Sequence, residues 1–333
     1  MIKAYAAHQP GGPLEPYEYD PGPLAGTDVD IAVEHCGICH SDVSMLHNHW
    51  GLSRYPLVPG HEVIGTVSAT GTAVTNLSVG QRVGLGWNSG YCMHCTPCMQ
   101  GDHNLCSQAE CTIVARHGGF ADRVRAHAAS VVPLPDKLDA RAAGPLFCGG
   151  ITVFNPLLQY AIGPTARVAV VGIGGLGHLA LQFYSAWGCE VTAFTSTPAK
   201  QTEARELGAR DTLDSRDASA LKSAAGRFDL IVSTVNVTLD WNALLGTLRP
   251  KGRLHFVGAT LEPASLPPLA LIGRQLSISG SPVGSPAAIA AMLDFSARHG
   301  VQARTEHFAF ADANAALARL ESGAARYRVV LSR

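Results

Sequence analysis

The 333-residue chain has no long uninterrupted apolar segment, no block of like charges, no internal repeat and no low-complexity tract. Its most apolar stretch, VAVVGIGGLGHLALQFY, is broken by four glycines and a histidine within seventeen residues, which excludes a membrane span. Acids and bases are interspersed and the formal net charge is −1, so the sequence offers neither nucleic acid nor an anionic membrane a basic face. The N-terminal MIKAYAAHQPGGPLEP lacks the apolar core of a secretory signal, and cytoplasm is the expected compartment. At 47% hydrophobic and 15% charged, the chain reads as globular, with material enough for two domains.

Nine cysteines in a reducing compartment point to metal rather than to disulfides. Four fall in YCMHCTPCMQGDHNLC, residues 91–106, as Cys92, Cys95, Cys98 and Cys106. Paired thiolates on tight turns suit tetrahedral zinc, and four of them leave no open coordination position. Such a site supports folding and does not catalyse. A two-disulfide knot and an iron–sulfur cluster are the alternatives. His94 and His103, inside the same loop, read as solvent-facing.

A second pattern begins at RVAVVGIGGLG, residues 167–177, an apolar strand-like run that ends in Gly172-Ile173-Gly174-Gly175-Leu176-Gly177 and opens a helix-like segment. Glycines placed between strand and helix let backbone N–H groups approach a pyrophosphate at the helix N-terminus. The next strand-like run, EVTAFTS, ends in Thr195 and Ser196, with Thr197 and Lys200 close behind and no carboxylate before Glu203. An acid there would bind a ribose 2′-hydroxyl, whereas hydroxyls and a lysine suit a 2′-phosphate, so NADP(H) is expected. Ser196 and Thr197 have a second reading as the cap of the following helix, with Pro198 in its first turn. Strands then alternate with helices, which predicts a doubly wound parallel sheet over residues 154–287. Residues 1–153 carry short β-like runs punctuated by Gly and Pro, an irregular β-barrel-like pattern to which the tail 288–333 returns through the helix PAAIAAMLDFSARHG.

Three further segments hold possible ligands for a catalytic zinc, which needs three protein donors and one open position. They are EHCGICHSD (34–42), PGHEVIG (59–65) and GPLFCGG (144–150). Alone, Cys148 reads as a small buried hydrophobe, and Cys36 with Cys39 as a redox dithiol or another closed metal site. Taken in order with the four-cysteine loop and the glycine turn, these segments resemble the zinc-dependent medium-chain alcohol dehydrogenases, most closely the cinnamyl-alcohol-dehydrogenase-like branch. The resemblance runs from end to end, through RYRVVLS.

That resemblance implies a Rossmann domain beside a chaperonin-10-like catalytic domain, with the active cleft between them. It implies that Cys39, His61 and Cys148 hold the catalytic zinc, with Cys36 a neighbour. Asp42 would orient His61, and Glu62 would stand beside the metal as a temporary ligand or tuner of its field. Two zinc ions per chain follow. Ser41 would take the alcohol proton; Thr152 would contact the nicotinamide and Arg328 the pyrophosphate, although Arg328 also fits a surface ion pair. Trp50 and Trp87 look like pocket walls, with core packing the alternative. Relatives commonly place a relay histidine three residues after the serine, and here Ser44 stands there, with His47 and His49 nearby.

The expected function is therefore interconversion of primary alcohols and aldehydes, aromatic or medium-length, by hydride transfer to or from NADP(H). Reduction of an iminium or activated double bond is the runner-up, and a non-catalytic zinc and nucleotide-binding protein the third reading. A small-molecule substrate and a homo-oligomer, dimer or tetramer, are the expected partners, with QLSISGS a plausible edge for pairing two cofactor sheets.

Overall fold

The computed structural model describes residues 1–197, 199–260 and 262–333. The chain folds as two compact units, Met1–Ile151 with Val283–Arg333, and Thr152–Pro282.

The first unit is built on a seven-stranded sheet. Its path runs Thr305–Ala309, Arg328–Ser332, Asp28–Ile38, Glu62–Thr70, Arg82–Leu85 and Val131–Pro133, with Arg123–His127 also pairing to Asp28–Ile38. Pairing is antiparallel except between Thr305–Ala309 and Arg328–Ser332. The eleven-residue strand Asp28–Ile38 is the hub, because it must pair with three neighbours. Its inward side chains Val29, Ile31, Val33 and Ile38 join Val63, Val67, Val83 and Leu85 in the core, where each side chain taken from water contributes roughly 1.5–3 kcal/mol. The register places Gly37 opposite Glu62 and Val329 opposite Ile38, so Arg328, Gly37 and Glu62 lie on three adjacent strands.

The tail helix of this unit, Pro286–His299, follows its sequence signals. The Ser285 hydroxyl accepts from the Ala288 N–H at 3.3 Å, and Gly300 ends the helix at φ +69°.

The second unit is a six-stranded parallel sheet. Counting its strands in chain order, their spatial order is third, second, first, fourth, fifth, sixth: Asp211–Leu213, Glu190–Phe194, Arg167–Val171, Phe228–Ser233, Leu248–Phe256 and Ser277–Gly280. This is the order of a dinucleotide-binding doubly wound sheet, and its direction reverses beside the first strand. VAVV and LIVS are buried throughout, as strands covered on both faces must be. The helix Ala199–Glu206 follows the second strand, and Pro198, expected in its first turn, lies outside the described residues.

Candidate metal centre and nucleotide turn

In the four-cysteine loop, Cys95 stands at the N-cap of the short helix Thr96–Gln100, which Gly101 closes at φ +90°. Cys92 Sγ lies 4.0 Å from Cys98 Sγ and 3.6 Å from Cys106 Sγ, and all four sulfurs fall within 4.8 Å of one another. Zinc–thiolate bonds of about 2.3 Å give a tetrahedron with edges of roughly 3.8 Å, so the donor set fits zinc. All nine cysteines are free, which removes the disulfide reading. The backbone amide of His94 foremost, and that of Cys95, hold the Cys92 thiol down at about 6, ready to ligate. His94 is exposed, but His103 is half-buried, its ring 5.3 Å from Tyr91 and its Nδ1 3.2 Å from the Gly101 carbonyl. The expectation for His103 as a solvent-facing residue is thereby corrected: the short turn after Gly101 folds it against Tyr91.

A second donor set assembles in the first unit around Asp42. This carboxylate, fully buried in the first turn of helix His40–Leu46, accepts the Cys39 N–H at 2.9 Å, the Gly60 N–H at 2.8 Å and His61 Nδ1 at 3.0 Å. Held so, His61 presents Nε2 at 3.3 Å from Cys148 Sγ, which in turn is 3.9 Å from Cys39 Sγ. Gly60 adopts φ +101°, and a Cβ there would stand 2.5 Å from the Phe120 ring and 2.8 Å from Cys36 Sγ, so only glycine permits this turn. Glu62 joins the set: one ligand atom each from Cys39, His61, Glu62 and Cys148 lies within 4.8 Å of the others, all four residues buried. Two thiolates and an imidazole are donors that zinc prefers, and the chemistry of the set fits that ion.

Protons are unevenly shared among these donors: the hydrogen bond with Cys39 foremost, and then burial, pushes the Cys148 thiol well above its ordinary range. Hydrogen bonding from Cys148 foremost, and from His61, holds the Cys39 thiol well below its ordinary range despite burial, with Arg328 adding to the effect. Burial opposes charge on His61, yet the Asp42 carboxylate raises it well above the usual histidine value. Cys36 stays apart from the donors; burial pushes its thiol far up and its Sγ points to the Gly37 carbonyl.

Ser41 is half-buried with Oγ 3.7 Å from Cys39 Sγ. The Trp87 ring meets the His61 ring edge-on at 5.1 Å, and Trp50 meets Trp87 at 6.1 Å, forming a half-buried aromatic wall that leads away from the donors. Both also pack against the core. Ser44 is half-buried, while His47 is bound to Glu321 at 3.2 Å and stacked on His49, both histidines exposed. Arg328 is buried and paired with Glu62. That ion pair was not legible beforehand, because the partners are 266 residues apart.

In the second unit, Gly172 turns at φ +87° directly after the first strand. Thr234 braces the turn, its hydroxyl donating at 2.9 Å to the carbonyls of Val171 and Gly172, a role carried in sequence only by the hydroxyl after FDLIVS. A Cβ on Gly174 would meet nothing within 4 Å, which leaves open space above the turn for a phosphate-bearing ligand. Gly175 and Leu176 complete the turn, and Gly177 begins helix Gly177–Trp187. Lys200 reaches back so that Nζ donates to the Ile173 carbonyl at 3.0 Å. Ser196 is half-buried and Thr197 exposed, its N–H donating to the Thr195 hydroxyl at 3.2 Å. Thr152 is buried in helix Gly149–Gln159.

A six-stranded parallel sheet with a braced glycine turn, joined in one chain to two sulfur-rich donor sets, defines a zinc-binding dehydrogenase. Residues 25–136 match the alcohol dehydrogenase GroES-like domain, and residues 175–298 match the zinc-binding dehydrogenase domain. Aldehyde reductase AdhA of Synechocystis sp. is 60% identical over 332 residues, covering 100% of this chain and 99% of that protein. Cinnamyl alcohol dehydrogenase SbCAD4 of Sorghum bicolor superposes with a TM-score of 0.95 at 39% identity, covering 99% of this chain and 97% of that one. CAD of Helicobacter pylori, solved in complex with NADP(H), does so at 0.91 and 26%, covering 99% and 97%. The chain belongs to the zinc-dependent alcohol dehydrogenase family, and it is an oxidoreductase of alcohols and aldehydes. Among the described residues no helix is long and apolar enough to cross a membrane.

Proposed function

We propose that this protein is an NADPH-dependent aldehyde reductase, acting reversibly on primary alcohols, with Cys39, His61 and Cys148 as ligands of a catalytic zinc and Cys92, Cys95, Cys98 and Cys106 as ligands of a structural one. The observation that carries the reading is the convergence of two buried sulfurs and an imidazole nitrogen tied to Asp42. When bound, zinc supplies Lewis acidity to a substrate oxygen and the reduced nicotinamide supplies hydride.

The protein's own groups do the rest. Cys39 and Cys148, as thiolates, offset the double charge of the metal. Asp42 accepts the Nδ1–H of His61, which fixes the tautomer with its Nε2 lone pair free to ligate. The Ser41 hydroxyl gives its proton to the product oxygen in reduction and receives one in oxidation. Trp87 and Trp50 offer flat apolar surface, which suits aromatic or medium-length aldehydes. Lys200, Ser196 and Thr197, beside the glycine turn, meet a 2′-phosphate, while Thr152 contacts the nicotinamide. The strand Ser277–Gly280, at the edge of its sheet, pairs two copies into a dimer or tetramer in the cytoplasm.

The test measures zinc per chain and NADPH oxidation with benzaldehyde, in the wild type and in Cys39→Ser. Two zinc ions falling to one, together with loss of turnover, supports the reading; turnover that survives the substitution refutes it.

A second reading, iminium reduction, is favoured by Ser44 in the relay position and by His47 turned to Glu321. Faster turnover of cyclic iminium ions than of aldehydes would select it.

A further inference from the structure

The glycine turn of the second unit is tied down at both of its ends. Thr234 holds the carbonyls of Val171 and Gly172. His178 holds that of Gly174, and reaches it with two groups: its backbone N–H and its ring Nδ1 each lie 3.1 Å from the oxygen. A carbonyl only accepts, so Nδ1 carries the hydrogen in this contact. The residue is fully buried at the start of helix Gly177–Trp187, which keeps the ring in this orientation.

The Gly174–Gly175 peptide is trans. In a planar trans peptide the C=O and the following N–H point in opposite directions, so a carbonyl drawn toward the helix turns the next N–H away from it. The N–H groups of Gly174, Gly175 and Leu176 donate to no acceptor among the described residues, and a Cβ on Gly174 would meet nothing within 4 Å. Unpaired amides beside open space suit a phosphate anion.

We infer that His178 is a positioning residue for the coenzyme: its imidazole pins the Gly174 carbonyl and thereby aims the Gly175 N–H at the pyrophosphate. The inference rests on the reading that a nicotinamide dinucleotide binds at this turn. The helix itself does not need the ring contact, because the His178 backbone N–H closes the first turn on the same carbonyl. What the imidazole adds is a second bond that resists rotation of the peptide plane. Its loss therefore weakens pyrophosphate binding and spares the fold.

The test uses the intact enzyme and follows the fluorescence of NADPH as it binds, with 2′-AMP, which has no pyrophosphate, as the displacing competitor. In Gly174→Val the added side chain fills the space over the turn. Lost NADPH binding in that variant places the coenzyme at the turn, whereas undiminished binding refutes the reading and the inference with it. His178→Leu is expected to raise the Kd of NADPH about tenfold, the factor that the free energy of one hydrogen bond gives, with the Kd of 2′-AMP unchanged. In His178→Asn, Nδ2 stands at the same bond distance from the backbone as the imidazole Nδ1, and the NADPH value returns to near that of the wild type. Wild-type affinity in His178→Leu, an equal loss with 2′-AMP, or a loss that asparagine does not repair overturns the inference, while the Gly174→Val result leaves the reading standing. Should His178→Leu fail to fold, His178→Met takes its place; the same split between NADPH and 2′-AMP supports the inference, and no split overturns it.

Discussion

Asp42 Oδ1 lies 3.0 Å from His61 Nδ1 and also accepts the Gly60 N–H at 2.8 Å, so one buried carboxylate sets both the turn that carries the imidazole and the direction in which it points. Partners of this kind typically tune metal affinity by about 10–100-fold. Asp42→Asn keeps the size of the side chain but loses its charge. The expected result is zinc binding at the Cys39 site weakened by that factor, with the four-cysteine site untouched, as read by competition with a chromogenic chelator.

The four-cysteine loop makes a different prediction. A closed thiolate site contributes folding free energy rather than chemistry. Cys98→Ser is expected to lower the zinc content by one ion per chain and to lower Tm by at least several degrees, at roughly 2–4 °C per kcal/mol. Scanning calorimetry with metal analysis on one sample checks both, and an unchanged Tm argues that the site is dispensable.

Lys200 addresses coenzyme choice. Its ammonium donates to the Ile173 carbonyl at the glycine turn, and in the proposed reading it adds a charge-assisted bond to a 2′-phosphate. Such bonds contribute about 1.5–3 kcal/mol. Lys200→Ala is expected to lower kcat/KM for NADPH by roughly 10–100-fold while leaving that for NADH nearly unchanged. Equal losses with both coenzymes would assign Lys200 to the architecture of the turn.

His255 links stability to pH. It is fully buried, with Nδ1 2.9 Å from the Ser279 hydroxyl and Nε2 3.0 Å from that of Ser281. Burial, and then the Arg253 charge, hold it down at about 4. The unfolded chain takes up this proton near pH 6.5 and the folded chain only near 4, so the stabilisation is complete above about 6.5 and is lost as pH falls through that interval. Between pH 8 and pH 5 the wild type should lose about 2 kcal/mol more than His255→Gln. Denaturant midpoints of both proteins at the two pH values provide the measurement; parallel losses exclude the histidine as the cause.

Local patterns were legible where residues close in sequence act together. Cys92, Cys95, Cys98 and Cys106 span fifteen residues, so short turns bring them together with little loop closure, and their spacing alone implies a metal. The run from Arg167 through Gly177 was similarly readable, because strand, glycine turn and helix are adjacent, and the alternation that follows dictates a parallel sheet. Cys39, His61 and Cys148 have no such shared period. Family resemblance named them, and the register of Asp28–Ile38 against Glu62–Thr70 supplies the physical cause by which Cys39, after the first strand, meets His61, before the second.

By itself, then, the amino-acid order determined the parallel sheet, the glycine turn and the composition of the four-cysteine set, since helix and strand periods, turn residues and thiolate spacing act over a few residues. Tertiary structure alone decided that Arg328 faces Glu62, that His103 folds onto Tyr91 and that Lys200 reaches Ile173. Those pairings depend on which strands become neighbours and on the space that a glycine such as Gly37 leaves between them, and no local propensity encodes either.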